Sequence, residues 1–424
     1  MAEIKAFKGL RFTEKAGKID TLICPPYDII SEEERIEFLK TNENNIIRLE
    51  LPSGEDKYKE AGKTLKSMLN NGILKQDEKE SIYIYEEEFT AFGERKKVKG
   101  FICLVKLEEF EKNIILPHEE TLSKAKADRF NLMSETFCNF SQVYSLYMDD
   151  GKKTFSKIDR LSNRKPDIEC KDNDNVIHRL WIVSDENEIN DIINDFKDRK
   201  LFIADGHHRY ETALNFRNKL REEGKINDSS DLGNYLMMDL VDMENEGLVV
   251  LPTHRLVKDL KNFDEQDIVN KLNKNFFVEK RFDLDNIEKE LMLNAHKKCF
   301  GFYTGKVYYY KLTLKNMNAV NDINTDKCSA YNNLDVTVLH TLILEEIMGI
   351  DKENMAKQIN LTYTKKIEEA ISKVAEGTFQ AAFILNATKV SEIRDVASAG
   401  EKMPQKSTYF YPKLITGLVM NKFL

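Results

Sequence analysis

Leu201-Phe-Ile-Ala-Asp205-Gly206-His207-His208-Arg209-Tyr210-Glu211-Thr-Ala-Leu-Asn-Phe216 runs from four apolar residues, through an Asp-Gly pair, into polar residues that open an amphipathic helix. The run predicts a buried strand over 201–204, a turn at the glycine and a helix over 208–223. A turn of this kind aims backbone N–H groups and the positive end of the helix dipole at one point, which favours an anion. Two imidazoles and a guanidinium at that point suggest a phosphate. Ligands of open α/β sheets bind at the carboxyl ends of strands, which is where Asp205 to Arg209 stand. The plainer reading makes these residues surface and capping groups.

Working outward, residues 178–183 (His-Arg-Leu-Trp-Ile-Val) read as a strand and 185–196 as a helix. This strand–helix–strand–helix order predicts short parallel strands joined by helices. Nearer the N-terminus, Ser31 precedes Glu32-Glu33-Glu34, a capped helix start with an acidic first turn. Ser81-Ile-Tyr-Ile-Tyr-Glu-Glu-Glu-Phe and Lys97-Val-Lys-Gly-Phe-Ile-Cys-Leu-Val-Lys-Leu alternate with period two, as strands do. Further strands are expected at 235–242, 248–251, 300–303 and 307–312, with helices at 336–348 and 364–375. The fold class is therefore mixed α/β. At 424 residues the chain exceeds what one core usually organises. Two domains are expected, 1–256 carrying the turn and 257–424 a separate α+β domain.

Hydrophobic residues make up 41% of the chain and charged residues 32%, enough apolar material for real cores. A formal charge of −8 gives no global attraction to nucleic acid. Residues 1–8 lack a signal-peptide core, and no stretch approaches the roughly 18 apolar residues of a membrane span. A cytoplasmic protein with no membrane or nucleic-acid partner is expected, and a homo-oligomer is compatible with the sequence. Cys24, Cys103, Cys138, Cys170, Cys299 and Cys328 stand singly, without metal-ligand spacing.

Other clusters carry chemistry-bearing side chains, several beside proline. Leu116-Pro117-His118-Glu119-Glu120-Thr121-Leu-Ser-Lys124-Ala-Lys126-Ala-Asp128-Arg129 is either a solvated charged helix or a site wall. In the second case Glu119 or Glu120 is the candidate general base, and Lys126 and Arg129 are phosphate contacts. Gly400-Glu-Lys402-Met-Pro404-Gln405-Lys406-Ser407-Thr408 ends like a phosphate-binding loop, but Gln405 occupies the place of the second glycine, which excludes that motif. Lys406 and Lys413 remain candidates for an anion; a structural loop packed by its aromatics is the alternative. Asp28, after Pro25-Pro26-Tyr27, and His254 with Arg255, after Pro252-Thr253, are candidate substrate contacts, each equally open to a structural reading.

The run Ile203-Ala-Asp-Gly-His-His-Arg-Tyr-Glu-Thr-Ala resembles the signature turn of the ParB/sulfiredoxin superfamily, whose members bind nucleotide phosphates at such a strand-to-helix junction. It looks closest to the branch of free serine kinases, which carry Asp-Gly-His-His-Arg itself. Nearly the whole chain also resembles a bacterial and archaeal family of unknown function, through Pro25-Pro26-Tyr27-Asp28, His118-Glu119 to Asp128-Arg129, Pro252-Thr253-His254-Arg255 and Met403 to Lys413. The resemblance implies a ParB/sulfiredoxin-like nucleotide- or phosphate-binding core. A sulfiredoxin-like reductase needs cysteine where this chain has His207, and a ParB-like DNA clamp needs a basic helix-turn-helix that is missing here. Phosphoryl transfer to a small hydroxyl acceptor remains, with free L-serine kinase as the leading expectation. In that reading Gly206, His207, His208 and Arg209 hold phosphates, Glu119 takes the acceptor's proton, and Asp205 orients Mg²⁺ or the histidines. The donor is ADP, ATP or pyrophosphate. Another metabolite phosphotransferase or phosphatase, or a nucleotide sensor without turnover, are the alternatives.

Overall fold

A computed structural model describes residues 1–121 and 123–424, the side chains of 123 and 124 excepted. The chain divides into two compact units. The first comprises Met1–Pro117, Thr121–Val249 and Pro412–Leu424, and the second His118–Glu120 and Val250–Tyr411. This differs from the expected division at 256/257. The crossover falls before His254, and the C-terminal segment returns to the first unit, where its Met420 pairs with Leu10 and its Thr416 with Cys24.

The first unit is built on a nine-stranded mixed sheet. Its strands are β1 (Ile4–Lys5), β2 (Ile82–Ala91), β3 (Glu94–Lys106), β4 (Ile115–Leu116), β5 (Val143–Tyr147), β6 (Ile168–Lys171), β7 (Ile177–Val183), β8 (Leu201–Asp205) and β9 (Tyr235–Asp242). Their order is β4-β8-β5-β9-β3-β2-β7-β6, with β1 added to β3. Only β4–β8 and β5–β9 are parallel pairs. The expected parallel pairing of 178–183 with 201–204 is corrected: β7 runs antiparallel to β2, while β8 lies between β4 and β5. Local strand–helix alternation does not fix the partner. The long hairpin β2–β3 supplies the central pairing surface that separates the two strands.

The first unit also holds helices α1 (Lys57–Asn70), α2 (Ser123–Thr136), α3 (Lys153–Leu161), α4 (Glu186–Asp195) and α5 (His207–Glu222), of which α3, α4 and α5 pack on this sheet. The expected helix at 32 is present as Glu32–Thr41, and Ser31 and Glu34 complete a reciprocal capping box. Asp185 caps α4 through the amides of Asn187 and Glu188. One sheet face is apolar, with Ile84, Phe101, Cys103, Val143, Ile203 and Met238 packed against Ile158, Ile192, Tyr210 and Ala213 from α3, α4 and α5. Because β8 is covered on both sides, its Leu-Phe-Ile-Ala run is apolar without alternation.

The other face carries a row of buried polar groups. Glu87 stands opposite His178, and Asp239 stands opposite both Ile102 and Tyr144. The Tyr85 hydroxyl lies 2.7 Å from His178 Nδ1 and donates to Glu87. The far imidazole nitrogen meets Asp172 at 3.1 Å.

The second unit has a six-stranded antiparallel sheet. In chain order its strands are β10 (His254–Val257), β11 (Phe276–Arg281), β12 (Cys299–Tyr303), β13 (Tyr309–Leu314), β14 (Leu361–Thr364) and β15 (Ala381–Ile384). They are ordered β11-β13-β12-β15-β10-β14. The helix expected at 336–348 is α6 (Asp335–Leu339), which continues as a π-helix over His340–Glu345. The whole chain is mixed α/β.

Candidate functional site

The turn after β8 is formed by backbone geometry that only glycine adopts freely. Gly206 has φ 96° and ψ 26°, and α5 begins at the next residue. A Cβ there would fall 2.9 Å from Arg209 Nη2 and 3.0 Å from both Cζ and Nε, so the missing side chain lets the guanidinium fold back over the turn. A register shift between Ile203 and Asp205 brings Asp205 opposite Tyr144 at the strand's end. The first amides of α5 have no acceptor within the helix and point towards this turn. Gly206→Ala is expected to cost about 1–2 kcal/mol from the backbone alone, with a further cost from displacing Arg209; denaturant unfolding measures the sum. A cost below about 0.5 kcal/mol would show that the turn relaxes.

Asp205 sits between two cations. Its Oδ2 accepts from Arg209 Nη2 at 2.9 Å and its Oδ1 from Lys413 Nζ at 2.7 Å. Burial pushes its pKa up, but Lys413 and then Arg209 outweigh that and hold the carboxyl far below the ordinary range. Arg209 also donates through Nη1 to the Gln142 carbonyl. Both Asp205 oxygens are thus engaged by protein cations. Among the described residues, no group of three His, Cys, Asp or Glu side chains is placed to hold a metal. Asp205, the Mg²⁺ ligand expected from the sequence, is met in this structure by Lys413 and Arg209.

A second arginine stands nearby. Arg129 on α2 donates from Nη1 to the Glu50 carbonyl at 2.7 Å, and from Nε and Nη2 to Asp128 Oδ2 at 3.0 and 2.6 Å. Its guanidinium lies 4.0 Å from the centre of the Tyr27 ring. Burial raises the pKa of Glu50 while Arg129 and Arg209 pull it down; Ser141 donates to its Oε1 at 3.0 Å. Glu50, Arg129, Ser141 and Arg209 line a narrow cleft of about 30 Å³, room for about one water. Asp28 is exposed and close enough to raise the pKa of both Tyr27 and Glu50. Lys126 pairs with Glu211, one turn along α5 from His207, at 2.7 Å.

The first unit therefore gathers Asp205, Gly206, His207, His208 and Arg209 with Lys126, Arg129 and Asp28. Glu119, Lys406, His254 and Arg255 belong to the second unit. There His118 Nε2 lies 3.0 Å from Thr408 Oγ1, and Glu119 is half-buried beside it. Lys406 is exposed, and its carbonyl accepts from Arg255. His254 is buried, which lowers its pKa to about 4 with help from Arg255. Sequence reasoning missed Glu50 and Gln142. The one signal for Glu50 is a carboxylate inside the apolar run Ile46-Ile47-Arg48-Leu49-Glu50-Leu51. Among the described residues no helix is long and apolar enough to cross a membrane.

Among solved structures, the chain is similar to a conserved hypothetical protein from Pyrococcus furiosus, at 14% identity over 73% of this chain and 90% of that one, with a TM-score of 0.33. It is similar to a free serine kinase in complex with AMP, at 12% identity over 73% and 86% and a TM-score of 0.34. A third likeness is to SbnI with a C-terminal truncation from Staphylococcus aureus, at 9% identity over 76% and 87% and a TM-score of 0.36. Likeness at this level assigns no activity. No curated protein sequence matches the chain. One family model matches residues 4–337, and by that match the chain belongs to the family described as protein of unknown function DUF1015.

Proposed function

We propose that the first unit binds a phosphorylated ligand at the N-terminus of α5 and transfers a phosphoryl group to a small hydroxyl acceptor, with L-serine as the first acceptor to test. The observation that carries this reading is the Asp205–Gly206 turn. It brings a helix N-terminus, Arg209 and Lys413 to one point, beside a second arginine and a buried carboxylate. Phosphoryl transfer needs mainly positioning and neutralisation of the oxygens around phosphorus, which helix amides and guanidinium groups supply. The acceptor oxygen bonds to phosphorus as the bond to the donor's leaving oxygen breaks, and the hydroxyl proton passes to a carboxylate. In the first unit Glu50 suits that role, its pKa raised by burial beside Arg129 and Arg209. Glu119 is the other candidate base. The donor is ATP, ADP or inorganic pyrophosphate.

Purified protein incubated with L-serine and each donor, with and without Mg²⁺, is expected to yield O-phosphoserine in phosphorus NMR spectra. Glu50→Gln is expected to lower the rate at least ~100-fold, in line with loss of a general base. If Glu119→Gln loses the rate instead, the base comes from the other loop. No phosphoserine with any donor would sink the serine kinase reading.

The second reading is nucleotide binding without turnover, favoured by the engagement of both Asp205 oxygens by Arg209 and Lys413. It predicts thermal stabilisation by nucleotide or pyrophosphate with no product.

A further inference from the structure

Arg255 is the largest side chain that either unit buries completely, with 0% exposure. Among the described residues no carboxylate pairs with it. Its Nη1 donates to the Thr253 carbonyl, and its Nη2 donates to the Lys406 carbonyl at 3.1 Å and lies 3.2 Å from His340 Nε2. Nε has no partner. A guanidinium keeps its charge when buried, and a buried charge left without a counter-charge costs several kcal/mol. The flanking groups do not supply that charge. His340 and His254 are held neutral, by burial first and by Arg255 second, and Tyr363 places its ring 5.4 Å from the guanidinium.

Two features of the backbone mark the same place. His340 begins the π-helix His340–Glu345, an irregularity that often accompanies functional sites. Lys406, whose carbonyl faces Arg255, has φ 57°, a left-handed conformation that a non-glycine side chain adopts at a cost. The Thr388 hydroxyl holds the next carbonyl, that of Ser407, at 2.7 Å. Besides Arg255 Nε, the Tyr363 hydroxyl and Thr337 Oγ1 are buried without hydrogen-bond partners among the described residues, and Thr337, on α6, stands about one turn before His340.

We propose that the second unit binds a small oxyanion, a carboxylate or a phosphate, on Arg255, with the Tyr363 hydroxyl as a further donor and residues 403–408 as the cover. The entering oxygens accept a hydrogen bond from Nε–H and replace the Lys406 carbonyl as acceptor on Nη2. A neutral acceptor thereby gives way to a charged one, and the guanidinium gains its counter-charge. The π-turn at His340 keeps an imidazole acceptor against Nη2, which fixes the plane of the guanidinium. This site stands on Arg255 and its neighbours alone, independently of the turn at Gly206.

The test is calorimetric titration of the full-length protein with inorganic phosphate and, separately, with succinate, using Arg209→Lys as background so that binding at the first unit is weakened. Saturable binding of one of the two anions is expected, and that anion names the class. Tyr363→Phe keeps the ring and removes only the hydroxyl; it is expected to weaken binding by ~10-fold. Arg255→Lys, which keeps the charge but loses the fork, is expected to weaken it further. Binding of neither anion, or unchanged affinity in Tyr363→Phe, would overturn the proposal.

Discussion

Asp205→Asn is expected to destabilise the protein by about 3 kcal/mol, the lower end of what breaking a buried ion pair costs. The substitution keeps shape and removes the charge that Arg209 and Lys413 share. With Arg209 only 8% exposed, it leaves a largely buried guanidinium without its carboxylate. The side chain of Asp205 is 22% exposed, so water recovers part of the loss. The pH dependence has a definite sign. Asp205 has a depressed pKa in the folded state, so its contribution is fully present above the ordinary aspartate range and fades as pH falls below it. The stability difference between wild type and Asp205→Asn should therefore be full at pH 7 and shrink by pH 3. A double variant with Lys413→Met should recover part of the loss, because the uncompensated cation is gone. If Asp205→Asn unfolds within about 0.5 kcal/mol of wild type at pH 7, the cations are solvated and the turn is not electrostatically built.

The turn itself was legible in the sequence because its determinants are local. An apolar run of strand length, a glycine and an amphipathic helix fix β8, Gly206 and α5 almost to the residue. The neighbours of β8 were not legible. Pairing with Ile115–Leu116 on one side and with β5 on the other depends on contacts far away in sequence. For the same reason the helix starting at Ser31 could be read from its cap, whereas the reach of Lys413 back to Asp205 could not. His254 and Arg255 carried a signal as chemistry after a proline. Which unit they serve was decided by the pairing of β10 with β14 and β15. Glu50 left almost no mark, since a carboxylate in an apolar run looks like a solvated helix face until Arg129 is placed beside it.

Raising the pH from 5 to 8 is expected to lower the stability of the wild-type protein, and Asp239→Asn should remove much of that decline. Asp239 is 1% exposed, and its Oδ1 has no hydrogen-bond partner among the described residues. Burial raises its pKa to about 8. Glu87 is raised to about 7, also mainly by burial, with His178 opposing and Asp239 adding to the rise. For a raised acid the sign runs opposite to that of Asp205. Between pH ~4 and ~8 the unfolded chain gives up these protons while the folded chain keeps them, so stability falls with pH through that window and levels off above it. Every tenfold tightening of proton binding corresponds to about 1.4 kcal/mol, which makes several kcal/mol the ceiling for Asp239. Asparagine has the shape of the protonated acid and no proton to lose. Asp239→Asn is therefore expected to match wild type within about 1 kcal/mol at pH 5 and to exceed it by about 2 kcal/mol at pH 8, which unfolding curves at the two pH values measure. Parallel pH profiles would show that Asp239 is hydrated. The difference bears on the candidate site because Tyr144 stands opposite Asp239 on one side and Asp205 on the other. Keeping Asp239 neutral spares β5, whose Tyr144 feels both carboxylates, a second negative charge across from Asp205.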